Sequence, residues 1–165
     1  MEPVHHQRHG HTHGNHAGTA TLNRLAFSAT VHCLSGCAVG EVLGLVIGTA
    51  LGWENLPTMV LAVILAFFFG YAFTMVPLLR SGMAFGGVLK LALASDTISI
   101  AIMEVVDNGI MMLIPGAMDA GLDTLLFWGA LAVALVIAGS AAFPVNRWLI
   151  SRGRGHALVH SHHPH

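Results

Sequence analysis

The sequence predicts an all-α protein, an integral membrane four-helix bundle with disordered histidine-rich N- and C-terminal tails. Three observations carry that prediction. Of 165 residues, 55% are hydrophobic and only 9% are charged, whereas a soluble domain carries roughly 25% charged residues. The apolar residues fall into four runs, each near or above the roughly 20 residues that a helix needs to cross a bilayer. All of the histidines except His32 lie close to the two ends of the chain. The formal net charge is −1, which points neither to nucleic acid nor to a basic membrane-surface patch.

The first 21 residues contain His5, His6, His9, His11, His13 and His16 among Gly, Thr and Asn. No apolar periodicity is present there, so a disordered tail is expected over residues 1–21. A basic stretch followed at once by an apolar core is missing, so no signal peptide is expected. Residues 151–165 repeat the composition with His160, His162, His163 and His165. Neutral imidazole suits Zn, Cu and Ni, and the tails are read as auxiliary metal-binding segments.

The transmembrane domain is expected over residues 22–150. Its first span, about residues 24–51, is closed by Trp53, an interfacial aromatic, and Pro57, read as a turn residue. Span two, about 58–79, is almost wholly apolar, and Arg80-Ser81-Gly82 turns the chain. Span three, about 89–114, carries Asp96, Glu104 and Asp107; span four, about 125–148, has no ionisable residue before Arg147 and many small residues, as a packing scaffold would. Lysine and arginine flank the ends of the spans on the side of the two termini, while the first and third connections hold only Glu54, Asp119 and Asp123. The positive-inside rule then places both termini in the cytoplasm and the chain in a prokaryotic inner membrane.

Polar residues stand where spans one and three should be apolar. In His32-Cys33-Leu34-Ser35-Gly36-Cys37-Ala38-Val39-Gly40-Glu41, Cys33, Cys37 and Glu41 recur every four residues and share one face of a helix. Gly36, Gly40, Gly44 and Gly48 form the next row, where the lack of side chains lets another helix approach closely. On span three, Asp96, Met103 and Asp107 fall within one arc, with Glu104 and Asn108 beside it. Counted from the cytoplasmic ends, Cys33 is level with Asp96, Cys37 with Met103 and Glu104, and Glu41 with Asp107. Ser99 and Asn108 are read as supporting residues that satisfy backbone or bridge helices.

The four carboxyls Glu41, Asp96, Glu104 and Asp107 outnumber the nearby bases. An ionised side chain at mid-bilayer costs on the order of 3 kcal/mol, so each must be protonated, paired, lined by water or bound to a cation. Cβ atoms four residues apart on a helix are roughly 5 to 6 Å apart, beyond the roughly 3.5 to 4.5 Å of a disulfide. Two thiolates at that separation can clasp a metal ion. Cys33, Cys37, His32 and Met103 are the expected metal ligands; thiol with thioether favours Cu(I), while thiol with imidazole also suits Zn(II). The carboxyls then relay protons or balance charge, because metal binding displaces thiol protons.

The segments HCxxGCxxGE and DxxSIxxMExxDN, in that order within four spans, resemble an uncharacterised family of prokaryotic membrane proteins, a domain of unknown function associated with copper and heavy-metal handling. The resemblance implies a four-helix membrane protein with His32, Cys33, Cys37, Glu41, Asp96, Glu104, Asp107 and Asn108 at signature positions. The expected function is to bind and translocate a soft, copper-like cation between spans one and three. No ATP-binding motif is present, so a gradient or another subunit must supply the energy. The expected partners are the lipid bilayer, further copies of the chain, with the glycine row as one contact, and metal-handling proteins. Two rivals stand beside this reading: a membrane thiol-disulfide redox enzyme using Cys33 and Cys37, and a non-catalytic scaffold subunit of a metal-resistance assembly.

Overall fold

The computed structural model describes residues 13–152, with side chains from Thr19 onward. Four helices follow one another: α1 (His13–Ala50), α2 (Asn55–Arg80), α3 (Phe85–Leu113) and α4 (Leu125–Ser151). No strand occurs among the described residues. The helix α1 begins at His13, well before the expected start at Arg24, so residues 13–21 are helical where a disordered tail is expected. Adding a turn to an existing helix gains one hydrogen bond per residue fixed, and Ala17 and Ala20 favour it. The histidine-rich tails at residues 1–12 and 153–165 lie outside the described residues.

The helix ends follow local chemistry. Gly52, at φ 66°, closes α1: its N–H donates to the Thr49 carbonyl and the Trp53 N–H to the Gly48 carbonyl, the paired bonds of a Schellman motif. Gly82 repeats the arrangement at the end of α2, with its own N–H on Leu79 and that of Met83 on Leu78. Pro57 stands in the first turn of α2, not in the turn before it. There a missing N–H costs no intrahelical bond. The Thr124 hydroxyl accepts from the Phe127 N–H and caps α4.

Sequential helices pack as antiparallel neighbours. Along α1 the glycine row backs onto the small-residue row of α2: Gly36 on Gly70, Gly40 on Ala66, Gly44 on Ala62 and Gly48 on Thr58. A Cβ added at Gly36 would lie 2.6 Å from the Gly70 Cα, and at Gly40 it would meet the backbone of Ala66. The row is therefore filled within the chain by α2. Tyr71 meets Thr97 across α2 and α3, 2.9 Å between hydroxyl oxygens. The Asn146 side-chain amide of α4 donates to the Thr30 hydroxyl of α1 at 2.9 Å. These pairings leave α1 and α3 parallel and facing each other across the centre.

Three helical segments, Thr19–Ala50, Asn55–Arg80 and Leu125–Ser151, are long and apolar enough to cross a membrane, which is consistent with a membrane protein. The helix α3 has 29 residues, about 43 Å at 1.5 Å per residue. It is not among the three, and it carries Asp96, Glu104 and Asp107 on its buried side.

Candidate functional site

Seven of the ten buried residues of α3 are polar or sulfur-bearing: Ser95, Asp96, Ser99, Met103, Glu104, Asp107 and Met111 share the buried side with Val88, Ala92 and Ile100. Their spacing of three and four residues puts them on the side turned toward α1. From α1, Cys33, Cys37 and Glu41 are buried on the opposing side. The two rows meet rung by rung. Cys33 Sγ donates to Asp96 Oδ1 at 4.0 Å, and the Ser95 hydroxyl donates to the same oxygen at 2.8 Å. Ser99 also stands beside Cys33. One turn further along, Cys37 lies against Glu104. At the third rung the Glu41 carboxyl lies against the Asp107 carboxyl.

Cys33, Cys37 and Met103 belong to a single buried cluster with Ala66, Ile100, Ala138 and Ala142, and each of the three sulfur side chains is only 1% exposed. Neither cysteine forms a disulfide. His32 stands apart. Its ring packs edge-on against Phe73 of α2, centroids 6.0 Å apart, because the next residue along a helix is turned by about 100°. Among the described residues no three His, Cys, Asp or Glu side chains converge as a metal-binding group. Asn108 donates to the Glu104 carbonyl at 2.9 Å and supports its own helix.

Along these two facing rows, both carboxyl oxygens of Glu104, Oε2 of Glu41, Oδ1 of Asp107 and the Ser99 hydroxyl have no hydrogen-bond partner of good geometry. The five described Lys and Arg residues, Arg24, Arg80, Lys90, Arg147 and Arg152, are all exposed. Beyond the Glu41–Asp107 rung lies a cavity of about 40 Å³, at the end of the bundle where α1 joins α2 and α3 joins α4. Asn55 and Thr58 of α2 and Met118 of the last connection line it. The Asn55 amide donates to Asp119 Oδ1 at 2.8 Å and ties those connections together.

Sequence reasoning passed over Ser95, whose bond to Asp96 follows from adjacency on α3, and the Thr30–Asn146 pair. The position of Asn146 near the end of an apolar run was the available signal for the latter. It also missed Met59 and Met118 as cavity residues, since their approach depends on how the connections fold back.

Fold and site together define a helical bundle with membrane-length helices and an ionisable, thiol-bearing interior. The chain belongs to the DUF4396 family, a domain of unknown function, which matches residues 22–155. No curated protein and no solved structure matches the chain.

Proposed function

We propose that the protein is a four-span membrane protein that binds a soft monovalent cation, Cu(I) foremost, at Cys33, Cys37 and Met103 and carries it along the α1–α3 interface. The observation that carries this reading is the burial of three sulfur side chains in one cluster, with Asp96 against one thiol and Glu104 beside the other. Thiolate and thioether donors select Cu(I). Zinc sites draw four ligands from Cys, His, Asp and Glu, and no such group converges among the described residues. A copper-like cargo is thus favoured over zinc.

The helix α3 completes the bundle as a span because its acidic residues face inward while Leu93, Ile98 and Val105 face outward. The exposed surfaces of the other helices are equally apolar, with Phe27, Ile64, Phe68 and Val136 among them. Arg24, Arg80, Lys90, Arg147 and Arg152 gather at one end and Glu54, Asp119 and Asp123 at the other. By the positive-inside rule this distribution supports a cytoplasmic location for both termini.

Binding Cu(I) to two thiols releases two protons. Asp96 and Glu104 are placed to accept them, and the Glu41–Asp107 pair continues the relay toward the cavity. Cation and protons then move in opposite senses through one file, a gradient-driven exchange that needs no nucleotide.

The test is Cu(I) stoichiometry of the full-length protein in detergent, against a competing chelator, beside a full-length Cys33→Ser, Cys37→Ser variant. Tail histidines contribute equally to both. One ion fewer per chain in the variant is the expected result; equal stoichiometry overturns the core site.

A further inference from the structure

Three of the chain's eight methionines, Met59 of α2, Met111 of α3 and Met118 of the last connection, line the same small cavity as Glu41 and Asp107. A methionine in an apolar helix normally fills space. Here three from separate elements meet where two carboxyls, each only 3% exposed, keep an unpartnered oxygen, Glu41 Oε2 and Asp107 Oδ1. We propose that this cavity is a second cation site, in which those two carboxyls and three thioethers hold a soft monovalent cation at the connection end of the bundle.

Size and donor chemistry both fit. A water needs roughly 10 to 15 Å³ by the same measure, so about 40 Å³ accommodates one ion with a little water and no organic solute. Thioether donors select soft monovalent ions such as Cu(I) over hard divalent ones, and a buried carboxyl oxygen without a partner gains most from a cation beside it. Asn108, also on the cavity wall, supplies a side-chain oxygen for a retained water. The inference shares with the proposed function its class of cargo but uses different donors, so the two fail separately.

The experiment is equilibrium dialysis of the full-length protein with Ag(I), a redox-inert soft monovalent probe. The variants are the triple Met59→Leu, Met111→Leu, Met118→Leu, and the double Cys33→Ser, Cys37→Ser. Leucine is close to methionine in volume and is tolerated in packed interiors. The triple variant is expected to bind one Ag(I) fewer than wild type, and the double variant to keep the ion that the triple loses. An unchanged count in a folded triple variant overturns the cavity site and leaves the thiol site standing. An unchanged count in the double variant alone overturns the thiol site and leaves the cavity. If the triple variant does not fold, Met118→Leu, outside the helices, is expected to weaken the second Ag(I) about tenfold; no weakening overturns the proposal.

Discussion

Cys37 of α1 lies against Glu104 of α3, and both Glu104 carboxyl oxygens are buried without a hydrogen bond of good geometry. A thiol that must lose its proton to bind metal thus sits beside a group able to take it. Glu104→Gln keeps the shape but removes that acceptor. Cu(I) flux into proteoliposomes is expected to fall by at least tenfold while the ion count in detergent stays unchanged. Flux at the wild-type rate would remove Glu104 from the relay.

At Gly40 the α1 backbone touches the α2 backbone. An added Cβ would collide with the Ala66 nitrogen and Cα, which cannot swing aside as a side chain can. Gly40→Ala is therefore expected to force the helices apart and destabilise the fold by about 1 to 3 kcal/mol, the usual range for overpacking. Gly129→Ala, where a Cβ meets nothing within 4 Å, is the control and should unfold at or above the wild-type temperature, since alanine is the better helix former. Thermal unfolding in detergent, followed by circular dichroism, compares the two. Equal losses would mean that close approach at Gly40 contributes nothing.

Much of this arrangement is legible in the sequence. The period of four in Cys33, Cys37 and Glu41, and in Gly36 through Gly48, names two adjacent faces of one helix. Counting depth along spans one and three, which run in the same direction, pairs Cys33 with Asp96, Cys37 with Glu104 and Glu41 with Asp107, as observed. The neighbour of each face was not legible. Small residues at Thr58, Ala62, Ala66 and Gly70 make α2 the partner of the glycine row, yet the run around them hides that row because nearly every residue there is apolar, whichever way it faces. For His32 too, adjacency in sequence to Cys33 is a turn of about 100° on a helix, and its ring packs against Phe73. Met118 reaches the cavity through the fold of a connection, which has no period to read.

The Asn146 to Thr30 hydrogen bond joins α4 to α1 inside the bundle, and Thr30 in turn donates to the Ala26 carbonyl at 2.9 Å. Both side chains are buried. In an apolar bundle such an interhelical bond contributes roughly 0.6 to 1.7 kcal/mol. A double-mutant cycle of Asn146→Leu and Thr30→Val should return a coupling energy in that range, read from unfolding in mixed micelles. Strict additivity would show that the bond does not contribute.

The two cysteines separate a cation carrier from a thiol-disulfide enzyme. They stand one turn apart on α1, each 1% exposed and unlinked, and closing them would draw Cβ atoms roughly 5 to 6 Å apart to roughly 4 Å. A regular helix does not allow that, and α1 continues unbroken through Gly36. The folded protein treated with diamide is therefore expected to keep two thiols per chain by mass after alkylation in denaturant. Alkylation of the folded protein should be slow, and slower still with Cu(I) bound, since the metal occupies the reactive sulfurs. Rapid formation of an intramolecular disulfide in protein that stays folded would reverse the assignment. It would show that α1 unwinds around Gly36, and it would make electron exchange the function of the file of groups that α3 turns toward it.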